Sequence, residues 1–365
     1  MKYVIFHVEG GVGKNIMATA VVKAIKKQHP DREIVVVASH PDIFINSPYV
    51  YRIYGLGQTP YFHEDFIKGK DTLIFKTDPY LHEHFINKKI HCIESWCLQN
   101  DIEYNGEKPE ITLTEQEENE MSTMLSKWNM PIFLIQSHGG GDQQDFSQSW
   151  IRDIPNNLIT PIIEAFQSEY KIIHLRYESQ PAIPNVDFVS SPKIRDLCAI
   201  VKHSHNRVFM DSFAQHAAMA FEKKSTVIWP ADKASQLGYQ FHHNIVSEYT
   251  PNKTHLIDYY LSEDDIIGQP HMCPFPRGEK IFDENKVIES IKSTDESANF
   301  VPSSPTEKNQ SIISGGCPSC PPEKKDKEDE PLEDLYTMTD RTQAFVDGIK
   351  EGGVNPYEDM TGPVN

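Results

Sequence analysis

The stretch Lys2-Tyr3-Val4-Ile5-Phe6-His7-Val8-Glu9-Gly10-Gly11-Val12-Gly13-Lys14-Asn15-Ile16-Met17-Ala18-Thr19-Ala20-Val21-Val22-Lys23-Ala24-Ile25-Lys26-Lys27 decides the fold. Tyr3 to Phe6 is a short apolar run that predicts a strand buried on both faces. Glu9 to Gly13 is a glycine turn. From Asn15 the apolar residues Ile16, Ala20, Val21, Ala24 and Ile25 recur at helical spacing. Strand, glycine turn and helix start together aim bare backbone N–H groups at one point, which suits an anion.

Three readings of this loop stand side by side. The first is a plain βα turn, because one glycine loop is a weak motif. The second is a phosphate-binding P-loop, which needs glycine at Val8 and a hydroxyl residue at Asn15 to hold magnesium. The variant that opens Lys-Gly-Gly has Glu9 in place of its lysine. The third is the first βα turn of a nucleotide-sugar glycosyltransferase.

Composition narrows the class. The 365 residues leave room for two ordinary domains and an extension. The net charge of −18, from 35 basic and 53 acidic residues, argues against a general nucleic-acid or anionic-membrane binder. No apolar run is long enough for a transmembrane helix, and the N-terminus reads as a strand rather than a secretion signal. Six cysteines (92, 97, 198, 273, 317 and 320) are sparse, so a cytoplasmic protein with free thiols is expected.

The pattern continues as strand 34–38, an extended stretch near Ser47-Pro48-Tyr49-Val50, strand 72–75, a helix over 90–98 and a charged helix over 115–128. It restarts near residue 129. Strand 131–136 runs into a second glycine loop, Ser137-His138-Gly139-Gly140-Gly141-Asp142. Helix 156–168, strand 171–175, helix 193–203, strand 207–210, helix 213–221 and strand 225–229 follow, with Asp211-Ser212 as the expected cap of helix 213–221. Strands alternating with helices predict two parallel α/β domains, 1–128 and 129–293, and ligands bind beyond the strand C-termini in such sheets. Residues 294–365 carry 6 Lys/Arg and 15 Asp/Glu, a net of 6 − 15 = −9, and are expected to form a disordered acidic tail. Within it, Thr339 to Ile349 has the pattern of one short helix. Cys317-Pro318-Ser319-Cys320 has zinc-knuckle spacing but is half a site unless His271 and Cys273 complete it.

Three segments resemble glycosyltransferase family 9, the ADP-heptose–lipopolysaccharide heptosyltransferase group. The first is Gly13 to Ala20 with Pro30-Asp31-Arg32-Glu33-Ile34 and Asn46 to Val50 behind it. The second is the loop from Ser137 to Trp150. The third is Ser191-Pro192-Lys193-Ile194-Arg195-Asp196-Leu197 with Asp211-Ser212-Phe213-Ala214-Gln215-His216-Ala217-Ala218-Met219-Ala220, similar to the signature Asp-Thr-Gly-x-x-His-x-x-Ala-Ala. The variant Glu9-Gly-Gly-Val-Gly-Lys-Asn looks most like divergent members carried by bacteriophages.

The resemblance implies the GT-B architecture: two Rossmann-like α/β domains facing a cleft, the acceptor on the first and the nucleotide-sugar on the second. It also implies inverting transfer to a glycan, lipid-linked or other hydroxyl acceptor, with no catalytic metal or other cofactor. The absence of any Asp-x-Asp in the chain agrees with the last point. Without a metal, fixed donors must hold the diphosphate. The expected donor-binding residues are Gly11 and Gly13, the backbone of His138, Gly139 and Gly140, then Arg152, Ile194, Asp211, Ser212, Phe213 and His216. The family's base is an aspartate directly after the first-loop glycine, where this chain has Lys14. Glu9 is the expected replacement, and Lys14 an anion binder. The family's phosphate-loop lysine aligns with Gln148. Two alternatives stay open: an inactive nucleotide-binding scaffold, and a P-loop NTPase whose magnesium strand end is Val208-Phe209-Met210-Asp211.

Overall fold

Strand β1 (Lys2–Val8) is buried along Tyr3–Phe6 and at Val8, as its apolar run requires. Helix α1 (Val12–Gln28) follows at once and is buried on almost every side over its first three turns. A helix apolar all round must be covered all round, and α1 has the first sheet on one flank and a helix of the second half on the other. β2 (Glu33–Ala38), β3 (Val50–Gly55), the single-turn α2 (Phe62–Phe66) and β4 (Asp71–Phe75) complete the first sheet region. Its order is β3-β2-β1-β4, all parallel. The short α3 (Glu83–Ile86), α4 (Cys92–Gln99) and α5 (Glu115–Ser126) lead to the second half.

There, β5 (Ile132–Ile135), α6 (Asn156–Phe166), β6 (Lys171–Leu175), β7 (Asp187–Val189), α7 (Ile194–His203), β8 (Asn206–Phe209) and α8 (Phe213–Ala220) come in order. β9 (Thr226–Trp229), α9 (Ala234–Leu237), β10 (His243–Val246) and α10 (Glu284–Ser293) close the run. The second sheet is also parallel, in the order β10-β9-β8-β5-β6-β7. Both sheets are thus all parallel, as alternating strands and helices predict, with the edge strands β3 and β4 of the first half exposed in part. This computed structural model describes residues 1–87, 89–139, 150–190, 193–231, 234–248, 275 and 278–302. The second glycine loop from Gly140 to Ser149, His271, Cys273, Cys317, Cys320 and the 339–349 segment lie outside the described residues.

One face of the second sheet packs on α6 and α10 through Phe133, Ile135, Leu158, Ile162, Val287 and Ile291. The other face packs on α7 and α8. That core continues without a break into the first half, joining Leu134, Phe209, Ala214 and Ala217 to Ile16, Ala20 and Val36. Polar ties reinforce the joint. Glu117 closes a capping box with Thr114 at the start of α5 and binds Arg195 of α7 through both oxygens, at 2.5 and 2.7 Å. Arg195 also donates to the carbonyl oxygens of Asp42 and Thr112. The guanidinium, then the Thr114 bonds, pull the Glu117 carboxyl down to about 2. Glu118 takes Lys202 and His203 of the same helix.

The composition break at residue 294 is not the end of the folded part. Thr294 is buried, and Glu296 pairs with Lys223 at 2.8 Å and with the fully buried Arg207 at 3.0 Å. The expected tail therefore begins too early. The few residues after α10 serve to neutralise an arginine that would otherwise stand unpaired beneath the sheet. Glu296→Ala should cost about 2 to 3 kcal/mol in urea denaturation, somewhat less than a fully orphaned charge, because Arg207 keeps the Ser204 and Lys224 carbonyls. Truncation after Ser293 should lose at least as much.

Candidate active site

The glycine loop is shaped by two different needs. Gly10 has φ +101°, a left-handed backbone that suits glycine. Gly13 is required by crowding, because a Cβ there would stand 2.8 Å from His216 Cδ2 and 3.7 Å from Phe213 Cα. The N-termini of α1 and α8 therefore meet at this glycine. Gly11 and Ser212 occupy the two N-cap positions in extended conformation, and neither helix has a side-chain cap or an acidic residue in its first turn. Ser212, one of the two residues expected to cap α8, makes no side-chain cap bond. Two positive helix ends open on the same space.

Asn15 explains how the loop keeps its shape. Its buried amide donates to the Gly10 and Gly11 carbonyls at 3.1 and 2.9 Å and to Ser39 Oγ at 3.0 Å. Its oxygen accepts from His40 N. A P-loop places a magnesium-binding hydroxyl at this position; here an amide clamps the loop to the end of β2.

Lys14 and Glu9 part company. Lys14 is buried, with Nζ 3.0 Å from Asp78 Oδ1 and over the rings of Tyr80 and Trp96 at 4.8 and 5.5 Å. Its anion partner is a carboxylate of the protein itself, Asp78, whereas the sequence pointed to a bound anion or to Glu9. Glu9 stands on the rim, exposed and 3.3 Å from Lys76.

The second half closes the space. Arg152, His138, Gly139, Asp211, Ser212, Phe213 and His216 face Glu9, Gly11, Gly13 and Lys14 across an open cleft of about 840 Å³. Two expectations are corrected. The Gly139 N–H is not available to a ligand, because it donates to buried Asp153 Oδ1 at 3.0 Å. Ile194 opens α7 and packs against the core instead of lining the cleft. Gly140 lies outside the described residues. Residues missed in the sequence also line the cleft, among them Asp78, Tyr80, Arg176, Tyr177 and Gln180. Arg176 follows β6 directly and braces its own loop, donating to the carbonyls of Tyr177, Glu178 and Gln180 while stacking on Phe188. Its position just past a strand C-terminus was the available signal.

The histidines around the cleft are neutral. Burial lowers His216 to about 3, and its Nδ1 lies 2.8 Å from the Tyr239 hydroxyl. Burial, helped by the Arg176 charge, lowers His138 to about 4, and burial with neighbouring His138 lowers His174 to about 3. These two rings share the Ser137 hydroxyl at 2.7 and 2.8 Å. His91 and His242 are pushed by burial to about 4. Among the described residues, no group of three or more His, Cys, Asp or Glu is placed to hold a metal ion, and no helix is long and apolar enough to cross a membrane.

No protein-family model matches the sequence, and no curated protein matches it. Solved structures do. A glycosyl transferase family 9 protein from Veillonella parvula aligns with a TM-score of 0.56 at 12% identity, covering 80% of this chain and 97% of that one. The ADP-heptose lps heptosyltransferase II of Escherichia coli gives 0.52 at 12%, covering 80% and 98%. The fold is that of glycosyltransferase family 9. The iron-containing dodecameric glycosyltransferase TibC of enterotoxigenic E. coli shares this fold, with a TM-score of 0.54, 12% identity and 80% and 77% coverage. In this GT-B arrangement the Gly13–His216 contact lies where the two Rossmann-like halves meet.

Two outcomes are expected. Gly13→Ala should destabilise the protein by about 1 to 3 kcal/mol and weaken any ligand held by the two helix ends, as read by denaturation and titration calorimetry. Acid should also destabilise it early. The five histidines have folded pKa values of about 3 to 4, below their unfolded value, so the unfolded chain binds more protons under mildly acidic conditions. Stability should fall as pH drops from about 6.5 toward 4, with measured proton uptake on unfolding at pH 5.

Proposed function

We propose that the protein transfers a glycosyl group from a nucleoside-diphosphate sugar to an acceptor hydroxyl, in one displacement that inverts the anomeric carbon. The observation that carries this reading is the meeting of two uncapped helix N-termini at Gly13 and Phe213, inside the cleft of a family 9 fold. A diphosphate carries its charge on several oxygens and gains more as the sugar leaves. Fixed N–H donors at two helix ends stabilise that charge without reorganisation. Backbone N–H groups of Gly13 and Lys14 act from one side and those of Phe213 and Ala214 from the other. The Arg152 guanidinium adds positive charge from the cleft wall. Neutral His216, with Nδ1 2.8 Å from the Tyr239 hydroxyl and Nε2 3.4 Å from Gln215 Nε2, adds a fixed polar ring beside the helix end.

This set replaces the divalent ion that an Asp-x-Asp transferase puts on the diphosphate, so binding is expected to be independent of metal. ADP-heptose is the first donor to test, since it appears in the name of the E. coli structural neighbour. The acceptor enters from the first half, and the protein works in the cytoplasm.

Calorimetric titration of the full chain with ADP, UDP and GDP, with magnesium and with EDTA, tests the reading. One diphosphate should bind with the same affinity in both buffers, and Arg152→Ala should weaken it about tenfold to hundredfold, the range for a hydrogen bond to a charged group. Binding of ATP alone, and only with magnesium, would contradict the proposal.

A further inference from the structure

Three carboxylates among the described residues line the cleft: Glu9, Asp78 and Asp211. They differ in what holds them. Glu9 is more than half exposed on the rim, and its partner Lys76 is equally exposed, so nothing fixes its position. Asp211 is buried on the second half, immediately before the helix end assigned to the diphosphate. A proton acceptor there would sit beside the departing negative charge instead of beside the incoming hydroxyl.

Asp78 is held on the first half, and it is held tightly. Its Oδ1 takes two bonds, from Lys14 Nζ at 3.0 Å and from Tyr80 N at 3.1 Å. Its backbone carbonyl accepts from Gln99 Nε2 at 2.9 Å and from Leu81 N at 3.1 Å. The preceding residue is tied in turn, Thr77 Oγ1 to Asn100 Nδ2 at 2.9 Å. Lys14 cannot swing away freely, because it is 7% exposed and its ammonium lies over Tyr80 and Trp96. The carboxylate itself remains 44% exposed to the cleft. With Oδ1 engaged twice, Oδ2 is the oxygen turned to accept. Lys14 follows Gly13 in the chain, so this carboxylate is anchored one residue from the point where the two helix ends meet.

We propose that Asp78 is the base that takes the acceptor's proton, with Lys14 as its positioning residue. The inference rests on the transferase reading above. In the step, the acceptor oxygen forms a bond to the anomeric carbon. The bond from that carbon to the β-phosphate oxygen breaks, and its electron pair leaves with the nucleoside diphosphate. The acceptor proton passes to Asp78 Oδ2. A rigidly held carboxylate on the side opposite the leaving group meets the geometric demand of an inverting displacement. Lys14 holds Oδ1 and so fixes which oxygen is left for the acceptor.

The test uses the full chain with ADP-heptose as donor and water as acceptor, following ADP release. Asp78→Asn should slow release at least 100-fold with ADP affinity close to wild type, in assays run below its unfolding midpoint, which drops because buried Lys14 loses its carboxylate. Asp78→Glu, which keeps a carboxylate beside Lys14, should recover a measurable rate and guards against a folding defect in the amide variant. Asp78→Asn releasing ADP at the wild-type rate would overturn the assignment. So would a loss confined to Glu9→Gln, which would move the role to the rim. A wild-type protein that binds ADP-heptose and never releases ADP would also overturn it, since a positioned base must activate water to some extent. Failure of every nucleoside diphosphate to bind the wild-type chain is a different result: it removes the transferase reading itself, before any variant is compared.

Discussion

The structure depends on the contact between α1 and α8 at Gly13 and His216. Two helices whose positive ends approach each other repel, and apolar packing must outweigh that repulsion. Here it does so with small residues. Ala20 on α1 and Ala214 and Ala217 on α8 are buried in the core that joins the two halves. Everything at the site follows from this arrangement. The helix ends are left without caps, the loop before α1 is stitched to β2 by Asn15, and the space between the ends lacks the acidic first-turn residues that would normally answer a helix dipole. Such a place is arranged for an anion that arrives from outside.

The same contact makes the site stiff. Because the core passes from the first sheet through α1, α8 and α7 into the second sheet, the cleft walls are parts of one packed body. The Glu117–Arg195 pair and the Glu118 contacts add polar ties along the same seam. Preorganised donors are worth more than mobile ones to a developing charge, because they need not move when it appears.

Much of the fold was legible because its strands are buried on both faces. Runs such as Ile34-Val35-Val36-Val37 and Ile132-Phe133-Leu134-Ile135 have few other uses in a polar chain. The edge strands β7 and β10 carry no such run: Asp187-Phe188-Val189 and His243-Asn244-Ile245-Val246 are half exposed and paired on one side only. The folded part beyond Ser293 was invisible for a similar reason. Its value lies in one carboxylate facing a buried arginine 89 positions earlier, and composition does not show pairing. At the site, motif reading found the loops but misjudged individual atoms. Gly139 belongs to a glycine-rich loop, yet its N–H is spent on Asp153, and Ile194 sits in a motif but faces the core. Asp78 and Arg176 belong to no glycine motif. They are found by asking which charged or polar residue stands just past the C-terminal end of each parallel strand, the rule that also returns Glu9, His138 and Asp211.

The account stands or falls on whether the two helix ends form one anion site. Hydrogen–deuterium exchange of the full chain, with and without ADP, reads this directly at the backbone. The account predicts that ADP protects the amides of Val12 to Lys14 and those of Phe213 to Gln215 together, and that EDTA does not abolish the effect. Protection of only one of these segments, or protection confined to other parts of the chain, would contradict it.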